Sequence, residues 1–418
     1  MSFAKGPFLD RVRAARLLEA AGLDALVVAE PEGFQYATGA GQGVAGLFRR
    51  AGAGFAVVPA DPALPVGAVL TDAAADAFRA ASPVADLRTH PSWIEAADVR
   101  ALADGDLSAA AMANAAWAAR PAGFTRPATF ELSAAIACLR DLLTTRRLRH
   151  ARLGFDLDYI AANDARAIAA GLDGAHALDG SPVLDRLRMV KAPGEIDRLR
   201  RGCELGEAGV AALAAGARAG HTLADLRDLF RAGVAAEAAR RCVALPDATY
   251  EYIAIGPRPW TPDAVAPGAI IKVDVVCAVD GYASDTSRNF VFGPASPRQR
   301  DLHRALEDAF AAGERLLRPG AALRDIHAAV TASMHRSGFT GYRRGHFGHG
   351  LGHSLFSEQW PFIAADAEVE LEANMMMAFE TPIYLDGVGA FNLEDQVLIT
   401  PDGHTPVNRL SRTLVEIG

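Results

Sequence analysis

The stretch "AIIKVDVVCAVDGYASDTSRNFVFG", residues 269–293, decides the fold of the second half of the chain. Two β-rich runs flank Asp280-Gly281, the dipeptide of a tight hairpin turn. With those two residues as the loop, Val279 faces Tyr282, and counting outward sets Asp285 opposite Val276. Asp274 lies two residues from Val276 and therefore on the same face. Asp274 and Asp285 become diagonal neighbours, about 7–8 Å apart at the backbone, close enough for two carboxylates to share metal ions. An isolated pair of this kind is more often two aspartates on a wet sheet face.

The pair is not isolated. In "MMMAFETPIYLDGVGAFNLEDQVLIT", residues 375–400, Asp386-Gly387 takes the turn position, and a loop centred on Gly387 sets Glu380 directly opposite Glu394. Like charges directly opposite are destabilising unless something positive lies between them. Glu380 also follows the apolar run Met375–Phe379, where an unpaired carboxylate is costly. Between the hairpins, "RRGHFGHGLGH" places His346, His349 and His353 among glycines that let an imidazole approach a site closely. Two acidic pairs on apolar hairpins ask for cations, and one of the three histidines is expected to join them as a ligand.

Outward from these hairpins the chain reads as two domains, as 418 residues favour. The first part alternates helix and strand: a helical pattern over Asp10–Ala21, a buried strand over Ala25–Val28, a second strand over Phe55–Val58, and a further strand and helix beyond Ala151. A long amphipathic helix then starts at Pro193, with Gly220 as its stop, and Thr222 caps a helix from Leu223 to about Ala239. The same order recurs about one hundred residues later, with helices over Arg298–Leu317 and Ala322–Ser337. Leu223, Asp225 and Leu226 match Leu323, Asp325 and Ile326, which suggests two related halves.

Composition removes several function classes. Half of the residues are hydrophobic, 22% are charged and the net charge is -8, which describes a folded globular chain without the cationic footprint of nucleic-acid or anionic-membrane binding. Neither an amino-terminal signal nor a membrane-spanning run of about 18 apolar residues is apparent, so a cytoplasmic protein is expected. Cys138, Cys203, Cys242 and Cys277 show no paired spacing and read as buried free thiols.

The order of Asp, a second Asp eleven residues on, His in a Gly-His-Gly-x-Gly segment, Glu and Glu resembles the pita-bread metallohydrolases, the superfamily of aminopeptidase P, prolidase, methionine aminopeptidase and creatinase. "DTSRNF", "FET", "NLED" and "RMVKAPGEIDRLR" support the likeness, and "GLDALVVAEPEGFQYATG" is similar to the extra domain of the creatinase and prolidase branch. The resemblance implies an α/β amino-terminal domain of creatinase type, residues 1–183. An α+β pita-bread catalytic domain with pseudo-twofold duplicated halves follows, residues 184–418. It implies a dinuclear centre held by Asp274, Asp285, His349, Glu380 and Glu394, with Glu380 also accepting the proton of an attacking water, and a homodimer. The donors are mostly hard, and four carboxylates balance two divalent ions, with manganese the first choice and cobalt or zinc the alternatives. Such a pair binds a bridging hydroxide and polarises a carbonyl.

The surrounding shell departs from the family pattern. No histidine occurs in the loop before Asp274, Phe356 stands where a second histidine follows the metal-binding one, and Thr381 and Asn392 replace a usual Pro and Arg. His346 and His353 are the candidates to take over proton transfer, and Arg258, Trp260, Phe356 and Trp360 are the candidates to line the substrate pocket. The expected substrate is a small peptide or small-molecule amide, with no nucleic-acid or membrane partner. Two activities fit the resemblance: an Xaa-Pro aminopeptidase or dipeptidase, and a non-peptide C–N hydrolase of the creatinase or ectoine-hydrolase type. A third class, a metal-free binding protein like the histone-chaperone relatives, is disfavoured by the complete ligand set.

Overall fold

In the computed structural model, which describes residues 6–93, 97–102, 107–119, 131–261, 263–354 and 356–418, the chain divides at Leu187–Arg188 into two units. The helix Ser181–Arg188 buries Val183, Leu184 and Leu187 in the core of the first unit, which carries that unit past residue 183.

The strands of the first unit are β1 (Ala25–Val28), β2 (Gly54–Pro59), β3 (Gly67–Thr71), β4 (Asp86–His90), β5 (Arg152–Phe155) and β6 (His176–Asp179). They form one mixed sheet in the order β4-β3-β2-β1-β5-β6. Alternate residues of β1 serve opposite cores: Val27 packs with Phe55, Leu139 and Ile168, whereas Leu26 and Val28 pack with Leu18, Phe34 and Leu184. Helices therefore cover both faces, and that is why β1 reads as an uninterrupted apolar run. The first helix, Arg11–Ala21, is capped by the Asp10 carboxylate, which accepts from the Val12 and Arg13 N–H groups.

The second unit contains β7 (Ala248–Glu251), β8 (Ala254–Ile255), β9 (Ile270–Val279), β10 (Tyr282–Ala283), β11 (Thr286–Phe292), β12 (His346–Gly350), β13 (Gly352–His353), β14 (Gln359–Ala364), β15 (Met376–Leu385), β16 (Gly389–Thr400), β17 (Gly403–Pro406) and β18 (Val415–Ile417). Its main path runs β13-β10-β9-β11-β16-β15-β12-β14. Both hairpins have the register that the sequence requires. Tyr282 pairs with Val279 across a turn in which Asp280 and Gly281 have φ of 49° and 77°, and Glu380 pairs with Glu394.

The duplication is visible in the helices. Pro193 and Pro297 each occupy the first turn of a long helix, Pro193–Gly216 and Pro297–Glu314, and each is followed by a second, Leu223–Arg240 and Leu323–Arg336. One stop differs from expectation: the first helix ends at Gly216, and Gly220, with φ of 84°, lies in the turn beyond it. Ile271, Val273, Val275 and Cys277 of β9 pack with Leu213, Leu226 and Phe230 of the first helix pair. Met377, Phe379, Phe391 and Leu393 of β15 and β16 pack with Leu306, Phe310 and Val330 of the second pair. Strand periodicity then turns Lys272, Asp274, Glu380, Asn392 and Glu394 to the face away from the helices.

The two halves are tied on both faces of the sheet. Only Ser287 and Glu394 pair between β11 and β16. The Asn289 side chain extends the ladder, donating to the Asn392 carbonyl at 2.9 Å and accepting from the Asn392 N–H at 3.0 Å. Buried Arg288 donates to Asp395 Oδ1 at 2.6 Å and to the carbonyls of Glu394 at 2.7 Å and Leu410 at 2.9 Å. Asp395 is held from its other side by Arg412 at 2.7 Å, which also pairs with Glu314. Cys203 and Cys277 are buried, Cys138 is half-buried and Cys242 is exposed, so burial of all four thiols does not hold. Among the described residues no helix is long and apolar enough to cross a membrane.

Candidate metal centre

Five neighbouring strands each bring one candidate donor to the same region. Asp274 comes from β9, Asp285 from the residue before β11, Glu394 from β16, Glu380 from β15 and His349 from β12. Asp285, His349 and Glu394 converge: their ligand atoms all lie within 4.8 Å of one another, and all three residues are buried. His349 Nε2 is 3.7 Å from Asp285 Oδ2 and 3.9 Å from Glu394 Oε1. Its Nδ1 is 3.1 Å from the Gly350 carbonyl, and donation there fixes the tautomer that leaves Nε2 free to ligate.

The other two carboxylates are held aside. Asp274 Oδ2 accepts from Lys272 Nζ at 2.9 Å, and Glu380 Oε1 accepts from Arg344 Nη2 at 3.2 Å. The Asn392 amide donates to both glutamates, at 3.1 Å to Glu380 Oε2 and 3.2 Å to Glu394 Oε2, and so spaces the pair that the hairpin sets opposite each other. Ser357, itself buried, favours the charged form of the Asp285 carboxylate.

Electrostatics fit a cation. Burial, reinforced by Asp274 and Glu380, pushes the Asp285 carboxyl well above the usual carboxylate range. Burial beside Asp285, Asp274 and Glu380 does the same to Glu394. Burial holds His349 below its ordinary value, in the neutral form that ligates. Buried like charges with neutral imidazole among them are the donor set of a divalent transition metal. The residues fit the metal that the sequence implies.

His346 also reaches this cluster. Its Nδ1 accepts from the Gly348 N–H at 3.3 Å and lies 3.6 Å from Glu380 Oε1, while Nε2 is 4.0 Å from Glu358 Oε2. His353 is placed differently from expectation: its ring stacks on Tyr282 at 5.1 Å, and the Tyr282 hydroxyl donates to Glu195. The β-strand pairing of His353 with Tyr282 turns that imidazole onto the tyrosine.

The pocket candidates separate. Trp260 is 80% exposed and lies against Tyr384, ring centroids 5.2 Å apart and tilted by 31°. Tyr384 in turn lies under the Lys272 ammonium at 5.6 Å and the Arg344 guanidinium at 5.8 Å. Arg258 pairs within its own loop, with Asp263, and Phe356 is exposed. Trp360 is half-buried and packs against the core shared with the second helix pair. A cavity of about 460 Å³ opens beside Tyr384, lined by Tyr342, Arg343, Arg344, Pro382 and Ile383 among others.

Sequence reasoning missed Lys272, Arg344, Ser357 and Tyr384, and it noted Asn392 without foreseeing its contact with the two glutamates. For three of these a signal existed. Lys272 lies two residues before Asp274, Asn392 two before Glu394 and Tyr384 four after Glu380, each on the same strand face as its carboxylate. Gly348 also matters, because its φ of 128° is the kink that precedes His349, and a Cβ there would run into the Ala378 carbonyl. Gly348→Ala is expected to cost on the order of 3 kcal/mol. Urea unfolding checks it, and an unchanged midpoint would show that β12 adjusts without strain.

Comparisons with known proteins agree with the fold. The profile of metallopeptidase family M24 matches residues 197–401, and that of the creatinase/prolidase N-terminal domain matches residues 11–190. Residues of the chain are 30% identical over 244 positions to the "Probable dipeptidase PepE" of Mycobacterium tuberculosis, a stretch covering 56% of this chain and 62% of that protein. They are 26% identical over 243 positions to the Xaa-Pro dipeptidase of Pyrococcus furiosus, covering 56% and 67%. The structure of an Xaa-Pro dipeptidase from Bacillus anthracis superposes with a TM-score of 0.74 at 16% identity, over 97% of this chain and 99% of that one.

Proposed function

Because the chain belongs to metallopeptidase family M24, with a creatinase/prolidase-type amino-terminal domain and the metal-dependent hydrolase activity of that family, we propose that it hydrolyses an amide C–N bond next to proline in a small peptide. The observation that carries this reading is the convergence of Asp285, His349 and Glu394, with Asp274 and Glu380 on the adjoining strands. These five side chains are the proposed holders of two divalent ions, manganese first and cobalt or zinc as alternatives. Bound there, the metal supplies Lewis-acid chemistry, polarising an amide carbonyl and making water acidic enough to attack near neutral pH.

The chain's own residues do the rest. Glu380 accepts the proton of the attacking water. His346, 3.6 Å from Glu380, passes it outward toward Glu358, or returns it to the leaving nitrogen. Asn392 keeps Glu380 and Glu394 apart and oriented. Trp260 on Tyr384 offers an apolar platform for a prolyl ring beside these groups. This reading also takes the chain to be a cytoplasmic homodimer.

The second activity, hydrolysis of a non-peptide C–N bond, is favoured by one observation: Phe356 and Asn392 stand where peptidases of this type carry His and Arg. A panel of Xaa-Pro dipeptides, Xaa-Pro tripeptides, creatine and ectoine, tested on enzyme loaded with manganese, cobalt or zinc, separates the two. Metal-dependent release of an amino acid from the proline peptides is the expected result. Turnover of creatine or ectoine with no peptide cleavage would replace it with the second reading.

A further inference from the structure

Lys272 is a cation built into a cluster that otherwise asks for metal. It is buried, and its hydrogen bond is to Asp274 Oδ2 at 2.9 Å, from two residues away on the same strand face. Asp285, His349 and Glu394 have different company: Thr286 N–H and Ser357 for the aspartate, Gly350 for the histidine and Asn392 for the glutamate. Among the described residues, none of those three pairs with Lys or Arg, and they are the three whose ligand atoms converge.

We propose that Lys272 competes with a metal ion for Asp274, so that a divalent ion takes the position beside Asp274 only by displacing the Lys272 ammonium. The inference rests on the metal-centre reading above and adds to it a residue that sets how the second position fills. An ammonium and a divalent ion on one carboxylate lie about 4 Å apart, and their repulsion in a partly buried site is worth a hundredfold or more in binding. Lys272 is poised to move, because Tyr384, already 5.6 Å from its nitrogen, gives the displaced ammonium an aromatic face. Arg344 is the weaker competitor at Glu380, since its Nε also donates to the His346 carbonyl at 3.3 Å and its guanidinium is shared between the two.

Titration of the chelator-stripped full chain with manganese chloride, followed by calorimetry and by metal analysis after gel filtration, tests this without any substrate. The wild type is expected to retain one equivalent and to bind a second at least about 100-fold more weakly. Lys272→Met should bring the second to within about tenfold of the first and leave the first unchanged. Two equal tight sites in the wild type, or a second affinity untouched by Lys272→Met, would overturn the proposal while leaving the metal centre standing. No retained metal at all would instead defeat the metal-centre reading. Should Lys272→Met fail to fold, Asp274→Asn serves: the tight ion is expected to stay within a few-fold of its wild-type affinity, and its loss would also overturn the proposal.

Discussion

Asp285→Ala is expected to remove bound metal and hydrolytic activity together, the latter by at least about a thousandfold. Asp285 is the carboxylate closest to His349 Nε2, at 3.7 Å, and it is one of the three donors that converge without help from a neighbouring cation. Losing it leaves the first ion with one carboxylate and one imidazole, too few donors for a stable transition-metal site. The fold should tolerate the change. In the metal-free chain Asp285 is buried against Asp274 and Glu380, which is why its carboxyl is driven upward, so the isosteric Asp285→Asn relieves repulsion and should melt no lower than the metal-free parent. Metal content by atomic emission and turnover on the same preparation decide the matter. Full activity in a metal-depleted variant would end the hydrolytic mechanism proposed for this site.

Arg288→Met is expected to cost about 3–5 kcal/mol of stability. Arg288 is buried between the halves, and its guanidinium satisfies Asp395 and the carbonyls of Ser287, Glu394 and Leu410 together. Removing it leaves part of a buried carboxylate charge and three carbonyls short of a donor, although Arg412 still holds the other oxygen of Asp395. Urea denaturation with a double-mutant comparison measures the effect. Arg288→Met with Asp395→Leu should be less destabilised than Arg288→Met alone, because the stranded charge is gone. A loss under about 1 kcal/mol for the single variant would mean that Asn289 and the strand pairing alone hold β11 to β16.

Much of the centre was legible because hairpin pairing is local. Asp280-Gly281 and Asp386-Gly387 fix two registers within short stretches of chain, and period-two alternation then assigns Asp274, Glu380 and Glu394 to one face without further information. The histidines were harder. Gly348 kinks β12, and the pairing of β12 with β14 slips between His346 and His349. Counting along the strand therefore cannot say which imidazole faces the carboxylates or that His353 turns onto Tyr282. Lys272 looked like an ordinary strand residue because its role depends on what β15 and Tyr384 bring to it from far along the sequence. The packing of Trp360 was illegible for the same reason, since a large aromatic reads alike whether it walls a pocket or packs on a helix pair.

The spread of donors over five neighbouring strands bears on how the polypeptide acquires its final form. Asp274 and Asp285 belong to one half of the duplication and His349, Glu380 and Glu394 to the other, and the halves meet in the sheet through short pairings, β11 with β16 and β18 and β10 with β13. Neither half alone presents the converging trio. These are contacts of high sequence separation, which close late because the intervening chain must first surrender its freedom. Ion capture therefore belongs to the end of folding, and an occupied centre rewards only the fully closed sheet, slowing its opening by mass action rather than guiding its formation.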